Sequence, residues 1–126
     1  MRTELQKNDS NPIVSMSFKF SINIIKFIDA QTWGNKFVIS NQLLKSATSI
    51  GANIREAQNA ESRNDFIHKF KIAAKEAEET EYWLLLLNEV GMNTIDLITD
   101  LTDIRRVLTK IISTSKKANS IAKANN

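Results

Sequence analysis

After Pro12 no second proline interrupts the chain, and only three glycines, Gly34, Gly51 and Gly91, break its run of helix-compatible residues. A proline inside a helix costs about 3 kcal/mol and a glycine about 1 kcal/mol relative to alanine, so a chain this poor in both can stay helical over long stretches. An all-α fold follows. With 126 residues, 42% of them apolar, there is material for one compact core and not for two.

Four periodic segments can be read along the chain. The first, about Ser17 to Thr32, opens with an alternation of Met16, Phe18, Phe20, Ile22 and Ile24 that by itself suggests a strand. No second strand candidate exists to pair with it, and Ile24, Ile25 and Ile28 continue at helical spacing, so a helix is expected. Trp33-Gly34-Asn35 supplies the break. The second helix, about Ser40 to Asn59, aligns Leu43, Ala47, Ile50, Ile54 and Ala57. Ser62 followed by Asp65 reads as a capping-box-like start for the third helix. That helix should turn Phe66, Phe70, Ala73, Ala77, Thr80, Leu84 and Leu87 inward and end at Gly91 in a left-handed cap. Asn93 with Asp96 opens the fourth, whose Leu97, Leu101, Ile104, Leu108 and Ile111 step by four and three.

Short connections make successive helices antiparallel, so the spacing predicts an up-down-up-down four-helix bundle over residues 15–117. Ala47, Gly51, Ala52, Ala73, Ala74 and Ala77 permit close approach of the second and third helices. Residues 1–14 and 118–126 show no burying pattern and are expected to be flexible tails. The polar opening lacks the apolar core of a signal peptide, and no apolar run reaches the ~18 residues of a membrane span. A cytoplasmic protein without membrane contact is expected.

Tyr82-Trp83-Leu84-Leu85-Leu86-Leu87 is apolar around nearly two turns, more than a helix in so small a bundle can bury. Two readings fit: singly exposed leucines, or a subunit interface formed by Tyr82, Trp83, Leu85 and Leu86.

Residues that carry chemistry are scarce. There is no cysteine, which removes disulfides, thiolate nucleophiles and Cys-ligated zinc. Asp65-x-x-His68 has the spacing of a carboxylate-bridged di-iron motif, but a second copy is required and His68 is the single histidine. Glu76, Glu78, Glu79 and Glu81 fan around a helix and cannot converge on one substrate. No phosphate-binding glycine loop and no Ser/His/Asp set can be assembled. The chain is therefore expected to be no enzyme and to hold no metal or cofactor.

Two polar patterns remain. Ser46, Ser49, Asn53 and Glu56 form a stripe beside the apolar face of the second helix, suited either to a helix–helix seam or to contacts with a neighbouring subunit or ligand. The formal net charge is +3, yet after Asp103 the chain carries Arg105, Arg106, Lys110, Lys116, Lys117 and Lys123 and no acid. Arg106, Lys110 and Lys117 fall near one line opposite the apolar stripe. Such a line could track phosphates of RNA or DNA, with Arg105, Lys45 and Arg55 contributing, or it could complement the helix dipole. Aromatic residues are absent there, so base stacking is not indicated. A protein partner, with no nucleic-acid role, is the other reading.

The string Gln42-x-x-Lys45-Ser46-Ala47-x-Ser49-Ile50-x-x-Asn53-Ile54-x-Glu56, followed by Phe66, Ile72-Ala73 and Glu79-Thr80, resembles bacterial four-helix-bundle proteins encoded in intervening sequences of 23S ribosomal RNA genes. The same group includes the accessory variability protein of diversity-generating retroelements. The resemblance spans about Phe18 to Lys117. It departs at Ala57, where the family often has glycine, and at Phe37-Val38, where it often has proline ahead of the second helix. The resemblance implies a non-enzymatic, ring-shaped homo-oligomer, a pentamer. In the retroelement branch it further implies a basic surface that partners a reverse transcriptase and nucleic acid. It marks Ser46, Ser49, Asn53, Glu56 and Glu79 as shared positions without giving their function, and the seam reading of the stripe gives them a structural role.

Overall fold

The computed structural model describes residues 11–125. Residues 1–10 of the expected N-terminal tail, and Asn126, lie outside the described residues. Within them the chain forms four α-helices and no strand: α1 (Pro12–Ala30), α2 (Phe37–Ala57), α3 (Arg63–Glu89) and α4 (Ile95–Ala124). A short 3-10 turn, Gly34–Lys36, joins α1 to α2. None of these helices is long and apolar enough to cross a membrane.

Both ends of the expected bundle need correction. Pro12 occupies the first turn of α1, where its missing N–H is no loss, so the helix starts five residues before Ser17. Ile13 and Val14, expected in a tail, are buried in the core. At the other end α4 continues through the expected tail to Ala124, although its last turns are mostly exposed. Alanine and lysine there favour the helix without needing a packing partner.

Local chemistry explains the remaining boundaries. Gly34 adopts φ +55, and the Trp33 indole N–H donates to the Ile28 carbonyl at 2.9 Å, closing the end of α1. Helix α2 ends without glycine: the amides of Gln58, Asn59 and Ala60 bond back three residues to Arg55, Glu56 and Ala57, tightening the last turn. Ser62 Oγ accepts from the Asp65 amide at 3.0 Å, and Asp65 Oδ2 accepts from the Glu61 amide at 3.3 Å, a reciprocal cap shifted one residue outward. At the end of α3, Met92 N–H bonds to Leu87 O and Gly91 N–H to Asn88 O, the Schellman pattern, with Gly91 at φ +99. Thr94 precedes α4 but does not cap it. Its buried hydroxyl donates instead to the Leu84 carbonyl at 2.7 Å, tying the α3–α4 turn to α3.

Each helix packs on its neighbours in sequence, and α1 also packs on α4, which closes the circuit around one core. The stripe Leu43, Ala47, Ile50, Ile54 and Ala57 is buried throughout, as are Phe70, Ala73, Ala77, Thr80, Leu84 and Leu87 opposite it. Ile67 takes the inward position expected of Phe66, which is only partly buried and lies against Phe70 at a ring separation of 4.6 Å. From α4, Leu97, Leu101, Ile104 and Leu108 complete the core, with Ile111 at its margin.

Candidate nucleic-acid interface

Helix α4 turns one flank toward α3. About 100° per residue separates successive side chains, so Thr102, Arg105 and Thr109, spaced three and four apart, share that flank. Lys71 and Lys75, four apart on α3, share the facing one. The two flanks enclose a shallow trough along the α3–α4 seam. One hollow, of about 390 Å³, is lined by Glu81, Thr102, Arg105, Arg106 and Thr109. The next, of about 320 Å³, is lined by Lys71, Ala74, Lys75, Glu78, Arg105, Leu108 and Thr109. Arg105 and Thr109 line both hollows, so the two adjoin along the seam.

The lining holds four cations, Lys71, Lys75, Arg105 and Arg106, against two carboxylates, Glu78 and Glu81. Arg105 is the most constrained of the four: its guanidinium meets Glu81 Oε2 at 2.8 Å, both side chains being about one-third exposed. That ion pair fixes the guanidinium at the middle of the trough and offsets part of its charge. Arg106 is more exposed and stands 3.5 Å from Asp103, one turn back on the same helix. Lys110 and Lys117 are exposed on the outer side of α4, where their spacing places them with Arg106.

Lys45 and Arg55 do not join this surface. Both are exposed on α2, and α2 makes no contact with α4 among the described residues. The six cations grouped by sequence thus separate into an α4 set and an α2 pair. Lys71 and Lys75 were missed because nothing in the order of residues tells which flank of α3 will meet α4.

Of the shared polar positions, Ser46 and Glu56 reach across the α2–α3 seam. Ser46 is fully buried, and its Oγ lies 2.9 Å from Thr80 Oγ1, which also lies 2.7 Å from the Glu76 carbonyl. Ser49 Oγ donates to the Lys45 carbonyl at 2.7 Å, and Asn53 Nδ2 donates to the Ser49 carbonyl at 2.8 Å. Glu56 pairs with Lys69 at 3.0 Å, and Glu79 is exposed on α3. Of the apolar run on α3, Trp83 leans into the bundle and packs on the core, its Nε1 enclosed without an acceptor among the described residues. Tyr82, whose ring meets Trp83 edge-on at 5.2 Å, is 56% exposed, Leu85 47% and Leu86 36%. The open apolar face therefore centres on Tyr82 and Leu85 and not on Trp83. His68 is exposed in the second turn of α3, while Asp65 is engaged in the cap.

Comparison with known proteins gives a consistent picture. Residues 9–114 match the family profile described as 23S rRNA-intervening sequence protein. A crystal structure of a protein of unknown function from the S23 ribosomal protein family of Bacteroides thetaiotaomicron is similar at a TM-score of 0.72 and 45% identity, over 79% of this chain and 97% of that one. No curated protein matches the chain.

Proposed function

The chain belongs to the 23S rRNA-intervening sequence protein family, and from that premise we propose a non-enzymatic bundle protein that self-associates and holds nucleic acid along its α3–α4 trough. One observation carries the nucleic-acid reading. Two neighbouring helices, α3 and α4, deliver Lys71, Lys75, Arg105 and Arg106 to adjoining hollows along their seam, with the hydroxyls of Thr102 and Thr109 beside them. Cations and hydroxyls are the groups that contact phosphate and sugar, and they position a backbone without reading its bases. Exposed Lys110 and Lys117 extend the positive surface along α4.

The antiparallel, up-down-up-down arrangement is supported by how contacts progress along the seams. Glu56 meets Lys69, and ten residues earlier on α2 Ser46 meets Thr80, eleven residues later on α3. Glu81 with Arg105, and Asn64 with Asn119, run in opposite order along α3 and α4 in the same way.

Self-association is supported by the open apolar face at Tyr82, Leu85 and Leu86. A closed ring, with five subunits as the family resemblance implies, would repeat the trough around its circumference and raise avidity for a long polyanion. In the retroelement branch a reverse transcriptase would be the protein partner.

Fluorescence anisotropy with labelled single-stranded and duplex RNA tests the trough. Affinity should fall steeply with salt, and Lys71→Gln/Lys75→Gln/Lys110→Gln should weaken binding at least tenfold at low salt. Unchanged binding by that variant, or none by the parent at low salt, would overturn the nucleic-acid role and leave a protein-interaction module.

A further inference from the structure

The α1–α2 seam carries a second apolar surface, and it is concave where the α3 face is convex. Val14, Ser17 and Phe18 of α1 and Thr48, Gly51 and Ala52 of α2 line a hollow of about 310 Å³, mostly apolar, with Arg55 at its rim. Gly51 sets its floor. A Cβ there would stand 3.4 Å from the Ser17 carbonyl, in van der Waals contact with α1, so a side chain larger than a methyl would begin to fill the hollow. Exposed Leu44 and Ile25 continue the apolar strip along the same seam.

We infer that this groove is the socket for Tyr82 and Leu85 of a second copy of the chain. Size and polarity agree: an open face of one aromatic and two leucine side chains meets a mostly apolar hollow large enough for one or two of them. Charge agrees as well. Glu78, Glu79 and Glu89 are exposed around Tyr82 and Leu85, whereas Lys45, exposed beside the groove, shares the outward stripe of Ala52, seven residues on.

The placement also bears on the symmetry. The socket lies between α1 and α2 and the knob on the outward face of α3, two different patches, so a single knob-in-socket contact is heterologous and leaves one knob and one socket free for further neighbours. Such a head-to-tail contact propagates and either closes into a ring or grows as a filament. The inference rests on the self-association proposed above and assigns it to two surfaces that differ.

Two substitutions at exposed positions separate the possibilities. Leu85→Glu removes the knob and Ala52→Glu charges the socket, and circular dichroism should show both variants with the parent's helical content and a cooperative melt. In sedimentation velocity the parent should be oligomeric and each variant monomeric. A 1:1 mixture of the two variants should give a heterodimer, because Ala52→Glu keeps an intact knob and Leu85→Glu an intact socket. A parental mass for Ala52→Glu, or a mixture that stays monomeric, would overturn the socket while leaving self-association in place. A parent that is monomeric at every concentration would remove both.

Discussion

Thr80 Oγ1 stands 2.9 Å from Ser46 Oγ where α2 crosses α3, and both residues are fully buried. It is a polar tie between two otherwise apolar stripes, placed between Leu43 and Ala47 on one helix and Ala77 and Leu84 on the other. A buried hydroxyl that loses its partner costs about 1–3 kcal/mol, more than the net gain of the bond itself.

A double-mutant cycle in urea therefore has a definite expected shape. Thr80→Val should cost about 1–2 kcal/mol, because Ser46 Oγ is left with only the Leu43 carbonyl at 3.4 Å. Ser46→Ala should cost less, since Thr80 keeps the Glu76 carbonyl. The double variant should be more stable than the sum of the singles by roughly 0.5–1.5 kcal/mol. Strict additivity would mean that the two hydroxyls are not coupled.

The α3 termini should respond unequally to loss of their caps. Ser62→Ala removes the acceptor of the Asp65 amide and should cost about 1 kcal/mol. Gly91→Ala forces a β-carbon into a backbone at φ +99 and should cost about 1–2 kcal/mol. Thermal melts of the two variants, with Gly34→Ala at φ +55 as a milder control, check the order.

Truncation should distinguish the two ends of the chain. Removing residues 1–14 deletes Ile13 and Val14, both buried, and should cost about 3–6 kcal/mol by lost apolar burial. Removing 118–126 deletes mostly exposed helix and the Asn119–Asn64 contact, and should cost under about 1 kcal/mol. Chemical denaturation of both truncated chains gives the comparison directly.

Glu81→Gln should strengthen RNA binding. The carboxylate partly neutralises Arg105 at the centre of the trough. One unit charge about 4 Å from a phosphate in water is worth about 1 kcal/mol, so affinity should rise roughly fivefold at low salt. The gain should shrink as salt is added. Unaltered or weaker binding would argue that Arg105 takes no part.

Much of the fold is legible in the order of residues. Leu43, Ala47, Ile50, Ile54 and Ala57 recur at a spacing that only a helix can bring to one face, and they are all in the core. The Ser62–Asp65 cap and the Gly91 stop are equally local, because each depends on side chains within a single turn. Ile13 and Val14 escaped notice because two apolar residues do not make a period. Phe66 and Ile67 exchanged expected places because adjacent positions on a helix differ by about 100°, and the packing of α3 decides which one lies inside.

The trough was legible only in part. Arg105 and Arg106 could be identified from their place in an acid-free stretch, but Lys71 and Lys75 become relevant only when α4 is laid beside them. Lys45 and Arg55 drop out for the same reason, since the helix that carries them is not in contact with α4.

By itself the sequence determined which segments are helical and, for most of them, which stripe turns inward, because both follow from contacts within a few residues. Tertiary structure alone decided which helix flanks face each other. From that came the Arg105–Glu81 pair, the membership of the cationic trough and the hollow above Gly51. Those features join residues far apart in the chain, and their distances are set by how whole helices pack and not by the spacing of letters.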